Sequence, residues 1–546
     1  MDTRTRASDL ALAGIVLSAL AMSVGWGFRG DYGHEAGAMV PGALLGLSVC
    51  LASGRQDWWQ RSTIMAMCGA IGWAFGGQMS YGRITGYTAS SSLPDVAYGY
   101  ACLFLIGALW AGIGSAILAL SVTESRSHLE RFTGPLVALW LVWFAMDLSG
   151  LTAWMVKSLY LNDTDWFAAL AALLVAGVYA AIVPRSRPAC VFIMLLAGGW
   201  WAGYLILTGL LRLHMTPPRS DNWSGCVGLF IALVLYLIRR QNRAALMVAL
   251  FGFLAGGIGF AVGDFVNMLG RAQWGPIGQL NALQGLDYWK WMEQLFGMIM
   301  GIGVGVAFLR WIRQKLAPPA EDQSGGSLNT VGLMFLLLVM MWSNLHKNVR
   351  NWAQGNYIPD HLFGIRAQWW FLLVGLILSA MVLIAIIRDR YGKLPLAPAS
   401  AFGRGQLLFL IILWIAIAGA FTQALPAMAS KGTLFVHATF WITGGICSLI
   451  VLGLSGKSER QPEAQLAASD DFWKPGIRYW ISWLLVPILI ALLTYLTVSL
   501  NEEPLPNSHL RFTKMPRTYL HRGEAPSCFA RNITASVEKQ QAPLGK

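Results

Sequence analysis

One short stretch between two apolar runs holds the densest reactive chemistry of the chain: Arg29-Gly30-Asp31-Tyr32-Gly33-His34-Glu35. A guanidinium, two carboxylates and an imidazole stand there within seven residues. Asp31 or Glu35 has the chemistry of a general base, with His34 as its acid–base partner. Arg29 suits bidentate contact with a carboxylate or phosphate. Similar groups end or begin other apolar runs. Gln78, Tyr81 and Arg83 follow one, Asp147 lies a turn inside the end of another, and Asp264, Asn267 and Arg271 close a third. Lys290 and Glu293 open the next run, and Asn344, His346 and Arg350 belong to the polar stretch 344–351.

These residues are expected to line one polar site. The candidate catalytic groups are Asp31, His34, Glu35 and His346. The candidate binding groups are Arg29, Asp31, His34, Glu35, Gln78, Tyr81, Arg83, Asp147, Asp264, Asn267, Arg271, Glu293, Asn344, His346 and Arg350. An ionisable group at the membrane boundary is costly unless paired, so a cluster in so short a turn points to function. The glycines at the ends of these runs have two readings. They could let the helix unwind and offer amides to a ligand, or they could only let helices approach closely.

No phosphate loop of the form G-x-x-x-x-G-K-[ST] occurs, and no cofactor motif. Of the seven cysteines, all but Cys528 fall in or beside apolar runs, where a small hydrophobe is the ordinary reading. Their spacing suggests neither a disulfide framework nor a metal site, so no metal and no cofactor are expected.

The elements that must position this chemistry are membrane helices. Of the 546 residues, 56% are hydrophobic and only 12% charged, about half the charge of a soluble domain. Runs of roughly 20 apolar residues, enough to span a bilayer, recur almost end to end. Helices are expected near 10–30, 36–53, 62–82, 96–122, 134–151, 166–183, 190–211 and 225–240. Seven more are expected near 245–266, 288–312, 330–347, 367–387, 403–425, 432–454 and 479–500. The fold class is therefore an all-α polytopic membrane protein of about fifteen transmembrane helices.

Lys and Arg in short loops give the orientation. With the N-terminus in the cytoplasm, Arg55, Arg61, Arg126, Arg131, Arg185, Arg187, Arg239, Arg240, Arg243, Arg310, Arg313, Lys315, Arg388, Arg390 and Lys393 lie inside. This N-in/C-out arrangement makes the net charge of +13 mainly a topology signal. No basic–aromatic array points to nucleic acid. Seven of the eight histidines, all but His128, then fall on the outer side.

The chain also repeats itself. Val24-Gly25-Trp26-Gly27-Phe28-Arg29-Gly30-Asp31 aligns without a gap with Ile71-Gly72-Trp73-Ala74-Phe75-Gly76-Gly77-Gln78. Gly259-Phe260-Ala261-Val262-Gly263-Asp264 is a third, weaker copy. Downstream, Trp166 to Arg187 resembles Trp369 to Arg390. The organisation expected is a leading hairpin (1–61) and two parallel six-helix repeats (62–244 and 245–456). A cytoplasmic linker with a final helix (457–500) and an extracytoplasmic tail (501–546) complete it. Parallel repeats are a known transporter plan.

The function expected first is a transporter or permease for an anionic or polyhydroxylated solute, with its polar site at the extracytoplasmic face. The alternative is a membrane-embedded transferase or hydrolase acting on a lipid-linked sugar or phosphate from that side. A sensor, or a subunit of a membrane complex, comes third. The partners expected are membrane lipids and a small-molecule or lipid-linked substrate, with no nucleic acid. The location expected is the bacterial inner membrane.

Overall fold

Within a bilayer, backbone N–H and C=O groups have no water to turn to, and an α-helix satisfies them within one segment. The computed structural model describes residues 3–77, 79–158, 165–215, 221–319, 326–341, 400–457 and 477–503, with single residues and short pieces between 352 and 388. The principal helices are α1 (Thr3–Tyr32), α2 (Glu35–Leu51), α3 (Ser62–Gly76), α4 (Leu93–Thr123), α5 (Thr133–Leu148), α6 (Asp165–Ile182) and α7 (Arg187–Gly203). They continue with α8 (Asn222–Arg239), α9 (Arg243–Arg271), α10 (Tyr288–Val306), α11 (Gly326–Met334), α12 (Ala401–Ala424), α13 (Lys431–Gly453) and α14 (Ile477–Leu500). Side-chain caps fix several starts. Asn242 accepts from Ala245 N–H at 3.1 Å before α9, and Asp287 accepts from Lys290 N–H at 3.1 Å before α10.

Eleven helices among the described residues are long and apolar enough to cross a membrane, and three shorter apolar helices accompany them. The protein is an all-α membrane protein. Helix is found within each expected segment; in 367–387 the residues that are described are helical, and the others lie outside the described residues.

Six helices close into a ring in the order α1, α2, α3, α4, α9, α10 and back to α1. Its wall is made of three hairpins, and glycines set the contact between hairpins. A Cβ on Gly42 would sit on the carbonyl of Gly69 and the reverse, and Gly107 and Gly256 stand in the same relation. Gly297 and Gly301 press likewise on the carbonyls of Met22 and Ser18. Within the hairpins, Gly25 meets Pro41, Gly72 meets the Gly114 carbonyl, and Gly259 meets the Phe296 carbonyl. Such contacts let membrane helices approach at backbone distance, where packing supplies the attraction. At every seam the residue numbers run in opposite senses, so α1, α3 and α9 point one way and α2, α4 and α10 the other.

Aromatic side chains fill the ring. Trp26 of α1 meets Trp110 of α4 edge-on at 4.9 Å and Phe296 of α10 at 5.0 Å. Phe260 of α9 stacks on Phe296 at 4.6 Å. The Trp73 indole N–H reaches across from α3 to Met300 Sδ of α10 at 3.3 Å. At the rim where α4 and α10 end, arginines cap carbonyls that have no partner within the helix. Arg61 donates to the carbonyls of Ser121 and Glu124, both at 2.7 Å. Arg55 donates to those of Arg313 (2.7 Å) and Leu316 (2.6 Å), and Arg313 to that of Ser53 at 3.4 Å. All three arginines are buried. They lie in the short connections where the sequence put them, and their burial beside helix ends adds a capping role that the sequence did not show.

Outside the ring, α5, α6, α7 and α8 form a row that docks through α8 on α4 and α9. Helices α12 and α13 pack on α1, with α12 also on α2, and α14 packs on α4 and α9.

Candidate functional site

The C-terminal ends of α1, α3 and α9 share one rim of the ring, and charged side chains gather there. Lys290 and Glu293 are three apart on α10, which places them on one helix face, and α10 packs along α1. Glu293 thereby meets Arg29, Nη2 to Oε1 at 3.0 Å, with both side chains almost fully buried. Tyr81, in the segment after α3, donates its hydroxyl to the same Glu293 oxygen at 2.5 Å. It also accepts from Arg29 Nη2. A layer closer to water, Lys290 Nζ donates to Asp31 Oδ1 at 2.7 Å and to the Gly27 carbonyl at 3.0 Å. These two side chains remain 17% and 24% exposed, so the upper pair touches water while the lower one does not.

Aromatic rings enclose the lower group. The Arg29 guanidinium lies 5.0 Å from the Trp110 ring, 5.5 Å from Trp26 and 5.7 Å from Tyr81, within the range of cation–π attraction. Tyr81 stacks on Trp289 at 5.6 Å. Burial pushes the Tyr81 phenol well above its ordinary pKa, so it is a hydrogen-bond donor here and not a phenolate. Burial also raises the Asp287 carboxyl, against the opposing pull of Lys290. Three polar atoms of the lower group have no hydrogen-bond partner among the described residues: Arg29 Nε, Arg29 Nη1 and Glu293 Oε2.

A second group lies across the Tyr81–Phe260 contact of 4.9 Å. Asp264 accepts from Thr88 Oγ1 at 2.6 Å and from Asn267 Nδ2 at 3.2 Å, all three residues being buried. Arg271 donates to the Thr85 carbonyl at 3.1 Å. This carboxylate has a hydrogen bond to each oxygen and reads as a structural tie between α9 and the turn at 85–88.

The expected cluster is thus brought together in part. Arg29, Asp31, Tyr81 and Glu293 meet, while Asp264, Asn267 and Arg271 form a neighbouring group. His34 and Glu35 are exposed at the start of α2, and Arg83 is half-buried. Helix α5, which carries Asp147, packs in the peripheral row and not in the ring wall. Gln78, Asn344, His346 and Arg350 lie outside the described residues. The idea that glycines unwind the helix ends is overturned for α1 and α9. Both stay helical through Gly27, Gly30, Gly263 and Gly270, so their amides are engaged within the helix. Sequence reasoning left out Lys290 as a binding residue, although its spacing from Glu293 was visible. Nothing in one sequence tells that Trp26 and Trp110 face an arginine, or that Trp289 stacks on Tyr81.

Among the described residues no group of three or more His, Cys, Asp or Glu side chains is arranged to hold a metal ion. Comparisons of the chain with protein-family models, with curated proteins and with solved structures give no match.

Proposed function

We propose that the protein is a transporter or permease for an anionic or polyhydroxylated solute, and that the rim holding Arg29, Tyr81, Glu293, Lys290 and Asp31 is its outward-facing binding site. The observation that carries this reading is the buried Arg29–Glu293 pair with unpartnered atoms on both members. Buried polar atoms are almost always hydrogen-bonded, so a ligand that supplies the missing partners would be held firmly. In this reading the chain is N-in/C-out in a bacterial inner membrane. The three ring hairpins descend from one copied hairpin, with later helices completing two parallel six-helix repeats.

One observation favours the second reading, a membrane-embedded transferase or hydrolase. The aromatic fill of Trp26, Trp73, Trp110, Phe260 and Phe296 closes the ring beneath the site, which makes the site one-sided. Purified protein in proteoliposomes separates the two readings. A carrier gives counterflow of at least one radiolabelled carboxylate, phosphate ester or polyol, and Glu293→Gln abolishes it while the variant still elutes as folded protein. Absence of counterflow with every solute, together with turnover of a lipid-linked sugar phosphate, would replace the carrier by the enzyme.

A further inference from the structure

An anion and a neutral polyol make opposite demands on the groups around Arg29. An anion needs an unmatched positive charge. Arg29 and Lys290 are the two cations of the site, and each already has a carboxylate partner, at 3.0 Å and 2.7 Å respectively. The acids acting on them number four, namely Asp31, Glu35, Asp287 and Glu293. Bringing a further negative charge here would set it against that surplus, a repulsion that rejects such ligands.

What the site lacks is hydrogen bonds. Arg29 Nε and Nη1 are donors with no acceptor, and Glu293 Oε2 is an acceptor with no donor. A hydroxyl group answers both, because it accepts and donates through one oxygen. A carboxylate or a fully ionised phosphate only accepts, and would leave Glu293 Oε2 unserved. Gly30 is exposed, and a Cβ there would lie 3.7 Å from Glu293 Oε2 and 3.8 Å from Lys290 Nζ. Bare backbone at this position is therefore the covering between water and the unpartnered carboxylate oxygen. The half-buried Trp289, stacked on Tyr81, offers an apolar face beside it.

We propose that this rim binds a neutral polyhydroxylated ligand, a free sugar or polyol or the sugar headgroup of a lipid. A hydroxyl sits between the Arg29 N–H groups and Glu293 Oε2, having passed Gly30. This inference rests on the solute-binding reading above and narrows it.

The test uses the full chain in lipid nanodiscs and compares neutral with anionic probes built on similar rings. Glucose and myo-inositol are set against glucuronate and glucose 6-phosphate, by calorimetric titration and by the thermal unfolding midpoint. A third arm places a monoglucosyl diacylglycerol in the disc and measures its retention after delipidating exchange. Any polyol stabilises proteins somewhat through exclusion from their surface, so the shift seen in a variant is subtracted as background. Glucose or myo-inositol should bind the unaltered protein. Glu293→Gln should weaken that binding at least about tenfold, the size expected for losing a hydrogen bond to a charged group. Gly30→Leu, which stands a side chain over Glu293 Oε2 while keeping both charges of the buried pair, should do the same and covers the case in which Glu293→Gln fails to fold. Retention of the glycolipid with indifference to free sugars would identify the headgroup as the source. Binding of the anionic probes alone, or neutral binding that survives both substitutions, would overturn this inference and leave the solute reading standing. Silence from all probes would bring down both.

Discussion

At the scale of single residues, Arg29 and Glu293 pose a question of energy. A buried ion pair loses the hydration of both charges, and its attraction only roughly recovers that loss, yet removing one partner leaves a buried charge with nothing opposite. Arg29→Met should therefore lower stability by about 3–5 kcal/mol. The double variant Arg29→Met/Glu293→Leu should regain most of that loss, because two apolar side chains replace two charges. Unfolding midpoints in one detergent measure both, and a double variant as unstable as the single would show that the pair does not govern stability. Ligand binding should be lost in both variants, which separates the role of the pair in function from its role in folding. Arg29, Asp31, Tyr81 and Glu293 could be nominated from sequence, since ionisable residues at the ends of apolar runs are rare enough to notice. Their pairing could not, because Glu293 lies 264 residues from Arg29 along the chain. For the same reason His34 and Glu35 looked equal to Arg29 by adjacency, whereas the turn at 33–34 directs them to the surface.

At the scale of helices, the glycines decide the spacing of the ring. Gly69 faces the carbonyl of Gly42 so closely that a side chain there must displace backbone. Gly69→Leu should therefore separate α2 from α3 and cost about 1–3 kcal/mol or more. Gly198→Ala is the control, being helical with nothing within 4 Å of the added Cβ. It should leave the midpoint unchanged or slightly raised, alanine being the better helix former. Equal loss in both would mean that helix flexibility and not close approach is what Gly69 provides. The sequence showed glycines recurring at Gly25, Gly72 and Gly259 but offered two explanations. Only the contacts with Pro41, Gly114 and Phe296 choose packing over amide presentation.

At the scale of the whole molecule, the proposed orientation has a direct measurement. Cys50, Cys68, Cys102, Cys190, Cys226 and Cys447 are all buried, so Cys528, outside the described residues, is the thiol to follow. With the tail outside, a membrane-impermeant maleimide should label Cys528 in intact cells, and Cys528→Ser should remove the signal. Labelling only after permeabilisation would put the tail, and with it the polar rim, on the cytoplasmic side.

Membership of the polytopic helical class was written in the sequence because hydrophobicity belongs to a segment. Each run of apolar residues commits its own backbone to a helix whatever its neighbours do. The run from Leu93 to Thr123 needs no partner to be read as a membrane helix. The partners are another matter. That Lys290 lies against Asp31, that Arg61 and Arg313 are buried and cap backbone carbonyls, and that three hairpins close on a shared aromatic fill were decided only in the tertiary structure. A buried charge or an open carbonyl is satisfied by whatever is nearest in space, and closing the ring brings α10 back to α1 across about half the chain.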